Sequence, residues 1–154
     1  MALNDILAVS AVFPALRVAS KKQALQDLAA HAAGILQRDE REIFETLNQR
    51  ERLGSTGVGS GIAIPHGKLA KMDRLFGMFA RLEKPIDFEA LDGEPVDLIF
   101  LLLAPEAAGA DHLKALARIA RLLRDPEVAK KLRASRDAAT IYAILTGEQA
   151  TDAA

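Results

Sequence analysis

Hydrophobic positions along the chain follow two periods, and the changes between them mark the elements. Apolar residues recur every three or four positions after Ser20, where Leu25, Leu28, Ala29, Ala32, Ile35 and Leu36 share one face and Ser20 with Gln23 forms a capping-box pattern. Asp39 and Glu42 repeat that pattern ahead of a second helix, which buries Ile43, Phe44 and Leu47 and carries Arg50 near its end. Before these helices, Asn4 to Leu7 reads as a helical turn and Val12 to Val18 as an extended segment whose Pro14 places it at an edge or a strand start.

Two later segments are apolar at nearly every position over a strand's length: Leu75 to Leu82, and Val96 to Ala104 between Pro95 and Pro105. Such continuity predicts central strands covered on both faces, with Lys84-Pro85 and Asp92-Gly93-Glu94-Pro95 as turns between them. The helical period returns at Asp111, an expected N-cap with His112 at the first helical position, and runs through Leu113, Leu116, Ala117, Ile119, Ala120, Leu122 and Leu123. Asp125-Pro126-Glu127 opens another helix, and Ser135 a last one through Ile141, Ile144 and Leu145 to Gly147. Two helices, a set of strands and three more helices predict one α/β domain over residues 1–150, with helices on both sides of a mixed sheet and a loose tail at 151–154.

Composition narrows the possibilities. A chain of 154 residues, half of them hydrophobic, suits a single globular domain. A net charge of -1 with interspersed signs gives no reason to expect nucleic acid. Without cysteine, neither a disulfide nor a thiolate metal site is possible. The start, Met1-Ala2-Leu3-Asn4-Asp5, lacks a basic segment followed by an apolar core, and no uninterrupted apolar span approaches about 20 residues. A cytoplasmic protein without membrane insertion is expected. His31, His66 and His112 are dispersed and show no paired ligand spacing, so no metal is expected either.

The candidate chemistry lies between Gly54 and Lys68, in Gly-Ser-Thr-Gly-Val-Gly-Ser-Gly-Ile-Ala-Ile-Pro-His-Gly-Lys. Glycines and hydroxyls let a backbone approach an oxygen-rich anion closely, which suits phosphate. Ile62, Ala63 and Ile64 read as the buried end of a strand, and Pro65 stiffens the support from which a loop His66 is presented. A neutral imidazole is a usable nucleophile towards a phosphoryl group. From the residues alone, His66 reads equally as a turn histidine, Arg50 as a surface cation, and Ser55 and Thr56 as residues that merely cap the loop. Nearby motifs fail on particular positions: a dinucleotide fingerprint needs glycine where Ile62 stands, a nucleotide P-loop needs a hydroxyl where Leu69 stands, and neither Ser55 nor Ser60 sits in a Gly-x-Ser-x-Gly frame. His31, on the flank of its helix stripe, reads as an ordinary helix histidine.

The run from Arg50-Glu51-Arg52 through Ile64-Pro65-His66-Gly67-Lys68 resembles the IIA proteins of the bacterial phosphoenolpyruvate-dependent phosphotransferase system, mannitol/fructose class, with the stand-alone nitrogen-regulatory branch as its best likeness. The resemblance extends from about Leu3 to about Thr146. It implies a mixed sheet of about five strands flanked by helices. It implies that an HPr-like small phosphocarrier protein phosphorylates His66, that Arg50 and a second histidine, His112, complete the catalytic site, and that Ser55, Thr56, Gly57, Gly59 and Gly67 supply phosphoryl-binding groups. No nucleotide, metal or organic cofactor is implied. The expected output is regulatory, through target proteins such as sensor kinases or potassium transporters. Two rivals stand beside it: a sugar-specific IIA component relaying phosphate to a IIB domain, and a non-covalent binding module for a phosphate-containing metabolite.

Overall fold

The computed structural model describes residues 2–147; the expected tail at 151–154 lies outside them. After 3₁₀ turns at Leu3–Asp5 and Val9–Ala11, the chain runs β1 (Val12–Leu16), α1 (Lys21–Leu36), α2 (Glu40–Arg52), β2 (Gly57–Gly59), β3 (Ile62–Ala63), β4 (His66–Leu69), β5 (Phe76–Ile86), β6 (Val96–Pro105), α3 (Ala110–Arg124), α4 (Pro126–Ala134) and α5 (Ala138–Thr146). The strands form one mixed sheet in the order β1-β5-β6-β3-β2, with β4 also paired to β6. It has six strands where about five were expected, because β2 and β4 lie inside the glycine-rich run that reads as a loop in sequence.

The sheet is built on β6. From Leu98 to Ala104 every residue of that strand is fully buried, as are Met78, Phe79 and Ala80 on its antiparallel neighbour β5. Burial at consecutive positions requires cover on both faces, since successive side chains point to opposite sides. Helix α2 packs on β4, α3 on β6 and α5 on β1. Strand β1 is an edge, which accommodates the missing N–H of Pro14. Lys84 and Pro85 do not end β5, as their turn chemistry predicts: the strand reaches Ile86, and the β5–β6 register shifts between Arg81 and Ile86 to absorb the proline.

Several helix starts follow the sequence and some do not. Ser20 accepts from the Gln23 N–H, and Asp125 from that of Glu127, as expected of N-caps. Asp39 caps α2 through the Arg41 N–H, whereas Glu42 turns outward to Arg38 and closes no box. The cap of α3 is Gly109 instead of Asp111, and the cap of α5 is Asp137 instead of Ser135, whose hydroxyl accepts the Asp137 N–H one turn earlier. The expected apolar faces hold except at their rims. Ile35 is 40% exposed and Leu113 68% exposed, while Ala33 and His112 are buried. His31 is exposed and stacks on Phe13 at 4.3 Å between ring centroids.

On one side of β6, β3 and β4 are two pieces of a single broken strand. Ile62 pairs with Leu98, Ala63 with Ile99 and His66 with Leu102, so the register is unchanged across the gap at Ile64 and Pro65. Antiparallel β2 joins β3 through a two-residue turn at Ser60 and Gly61, both at positive φ, as primed hairpin turns demand. Gly67 lets β4 lie directly against α2. A Cβ there would stand 2.5 Å from Thr46 Cγ2, and Thr46 is held by its hydroxyl on the Glu42 carbonyl. Gly67→Ala is therefore expected to destabilise the fold by about 1–3 kcal/mol. Urea denaturation of the double variant with Thr46→Ala should recover most of the loss; no loss in Gly67→Ala would refute the packing argument.

Candidate functional site

The break at Ile64 and Pro65 turns a strand into a mount for a reactive ring. Pro65 has no N–H, and its carbonyl accepts from the Leu102 N–H of β6. Ile64, out of the ladder, donates its N–H to the Thr56 carbonyl and leaves its own carbonyl facing the His66 ring. His66 Nδ1 lies 2.8 Å from that oxygen. A carbonyl only accepts, so Nδ1 carries the proton and Nε2 keeps its lone pair.

Nε2 in turn receives the Arg50 Nε–H at 3.2 Å. Arg50 occupies the last turn of α2, and its Nη1 is anchored on the Gly54 carbonyl at 2.9 Å. The helix thus delivers the guanidinium to the histidine, as its position in the sequence leads one to expect.

His112 approaches from the other side. It is the third residue of α3, within the first turn but not at the first position. Its ring meets that of His66 nearly edge-on, with centroids 5.6 Å apart. Only 6% of His112 is exposed, and its Nε2 is buried without a hydrogen-bond partner. A buried, unpartnered ring nitrogen is costly in a resting protein. The residue also lines an open cleft of about 750 Å³, together with Arg50, His66, Gly67, Lys68 and residues of the α2 and α3 rims. Leu53 and Leu113, 84% and 68% exposed, stand at its mouth.

Both rings are held below the ordinary histidine value. For His66 burial is the largest influence; the Ile64 carbonyl opposes it, the Arg50 guanidinium reinforces it and the Glu51 carboxylate opposes it. For His112 burial again leads, with the neighbouring His66 and Lys68 adding in the same direction. Two neutral imidazoles beside an arginine make a site that is poor for cations and prepared for an incoming dianion.

Of the loop residues, the structure brings Gly67 alone to the cleft. Ser55 bridges the Phe88 carbonyl and the Gly57 N–H, Thr56 binds Glu51 through both its N–H and its hydroxyl, Gly57 is buried against Ala90, and Gly59 lies beside Asp92. The hydroxyls of Ser55 and Thr56 and the N–H groups of Thr56 and Gly57 are thus bonded within the protein. Sequence reasoning missed Lys68, Thr46 and Gln49 as lining residues. Lys68 could have been found from the motif, whereas Thr46 and Gln49 face the cleft only because α2 crosses β4.

A model of the family described as "Phosphoenolpyruvate-dependent sugar phosphotransferase system, EIIA 2" matches residues 5–148. The chain is similar to the nitrogen regulatory protein of Bradyrhizobium diazoefficiens, at 65% identity over 153 residues, covering 99% of this chain and 100% of that protein. It is also similar to the nitrogen regulatory protein of Escherichia coli K12, at 43% identity over 133 residues, covering 86% and 82%. Among solved structures, nitrogen regulatory protein IIA-Ntr from Neisseria meningitidis matches with a TM-score of 0.89 at 37% identity, covering 94% of this chain and 99% of that one.

The depressed histidines generate a test with a definite sign. The unfolded chain binds these protons more readily than the folded one, so stability is full above the ordinary histidine value of 6.5 and falls as pH drops below it. The urea midpoint is expected to be lower at pH about 5.5 than at pH about 7.5, and by less in a His66→Gln, His112→Gln double variant. In ring-proton NMR titrations, Arg50→Ala should move His66 upward. A downward move, or identical pH dependence in the double variant, would contradict this electrostatic account.

Proposed function

The chain belongs to the EIIA 2 family of the phosphoenolpyruvate-dependent sugar phosphotransferase system, and on that premise we propose that it is a cytoplasmic regulatory protein phosphorylated on His66 Nε2 by a small histidine phosphocarrier. The observation that carries the reading is the His66 ring itself, protonated at Nδ1 by its Ile64 contact, with the Nε2 lone pair turned to Arg50.

In the proposed step, His66 Nε2 attacks the phosphorus of the carrier's phosphohistidine in line, and the electron pair of the breaking P–N bond returns to the carrier's ring. The Nδ1 proton stays on His66, shared with the Ile64 carbonyl, so the positive charge that develops on the ring is partly neutralised where it forms. Arg50 gives up its contact with Nε2 and turns its planar fork to the equatorial oxygens. The unpartnered Nε2 of His112 supplies a further donor to the phosphoryl group, which resolves its unsatisfied state. Such catalysis is positioning plus electrostatics, and this chain's own groups suffice for it. Exposed Leu53 and Leu113 frame the mouth where the carrier docks. The names of the relatives support a regulatory output, in which phosphorylated and unphosphorylated forms bind target proteins differently.

The test is incubation with phosphoenolpyruvate, the first enzyme of the system and its carrier, followed by intact mass. Wild-type protein is expected to gain one acid-labile phosphoryl group and His66→Ala none. Arg50→Ala should be slower by about a hundredfold, Arg50→Lys should be partly impaired, and His112→Ala should be slower than His112→Gln. On phosphorylation, the His112 pKa should rise, because negative charge then faces it. Full incorporation into His66→Ala would sink the reading, absence of any incorporation would favour a non-covalent binding module, and rapid onward transfer to a IIB domain would favour a sugar-specific relay.

A further inference from the structure

Glu51 directly follows the arginine of the site, yet its side chain points the other way, into the protein, and the residue is only 9% exposed. One carboxylate oxygen accepts the Thr56 N–H at 3.0 Å and the Lys21 ammonium at 3.0 Å; the other accepts the Thr56 hydroxyl. Lys21 is itself fixed, with Glu89 at 3.3 Å and the Phe88 ring centroid 5.0 Å from its nitrogen. Thr56, 3% exposed, then holds Ile64 through the bond from the Ile64 N–H to its carbonyl at 3.0 Å. The Ile64 carbonyl is the group that receives His66 Nδ1.

We propose that Glu51 is a positioning residue for the nucleophile: acting through Thr56 and Ile64, it holds the His66 ring in the tautomer whose Nε2 is free to attack. The inference rests on the proposed role of His66 but is readable without it.

A buried carboxylate with an ammonium partner is weak evidence for stability, because desolvation offsets the attraction and well-packed apolar residues often serve as well. What an apolar residue cannot do is accept two hydrogen bonds from one threonine and so fix the backbone that places the Ile64 carbonyl. Ile64 faces away from β6, which bonds the Gly61 and Pro65 carbonyls, and its N–H is held by Thr56 next to the Gly57–Ala63 pair. If Thr56 drifts, the Ile64 oxygen moves from Nδ1, the Arg50 Nε–H is left alone in favouring an unprotonated Nε2, and the tautomer that lacks the attacking lone pair gains population.

The experiment reads the ¹⁵N shifts of the His66 ring in the unphosphorylated protein at a pH where it is neutral, alongside the rate of phosphorylation by the carrier. Glu51→Ala is expected to populate the Nε2–H tautomer and to slow phosphorylation by about ten- to a hundredfold. Glu51→Gln, which keeps a two-pronged contact with Thr56, should retain the wild-type tautomer and lie within about threefold of the wild-type rate, since most of the positioning is preserved. Thr56→Val, which removes the hydroxyl at constant volume, should shift the tautomer in the same direction to a lesser degree, and it decides the matter if Glu51→Ala does not fold. Wild-type ring shifts in whichever of these two variants folds would overturn the proposal, even if stability falls. If wild-type protein accepts no phosphoryl group, the proposed function fails while the ring shifts still decide the role of Glu51.

Discussion

A single hydrogen bond, from His66 Nδ1 to the Ile64 carbonyl, determines what this site can do. It lies where the strand beside β6 is interrupted at Ile64 and Pro65 while keeping its register on either side. The Gly61 and Pro65 carbonyls face β6, so the Ile64 carbonyl points away from that ladder and is open to the ring, while Arg50 Nε–H on Nε2 favours the same tautomer from the other side. The buried run Leu98 to Ala104 of β6 makes such a break tolerable: β3 and β4 each pair with β6, and the Pro65 carbonyl still accepts from Leu102 across the gap. A deeply buried strand thus supports the interrupted one that carries His66.

The electrostatics follow from the same placement. Burial holds both histidines below their ordinary value, and Arg50, fixed between Gly54 and His66, disfavours the His66 imidazolium further. A neutral ring beside a guanidinium is a good nucleophile with a ready anion receptor. His112 Nε2, buried beside that ring, has no hydrogen-bond partner among the described residues. Glu51 lies behind this arrangement, where its charge is neutralised by Lys21 and its geometry is spent on Thr56.

Much of this protein is legible in its sequence. Continuous apolar runs predict the two central strands because a strand covered on both faces must be apolar at consecutive positions, and β5 and β6 obey that rule. Helices announce themselves through Ser20 and Asp125 because a cap is a local hydrogen bond that needs no distant partner. The Ile-Pro-His-Gly motif singles out His66, and its family likeness joins Arg50 and His112 to it. What tertiary structure alone decided are the features that depend on a neighbour remote in the chain. His66-Gly67-Lys68-Leu69 has no strand character of its own and becomes β4 only by lying along β6. Glycines that read as a phosphate cradle become a hairpin whose polar groups are bound elsewhere, because Phe88, Ala90 and Glu51 meet them from outside the motif. The tautomer of His66 and the inward turn of Glu51 belong to the same class: hydrogen-bond direction is fixed by where the acceptor sits in space, and spacing along the chain carries no record of it.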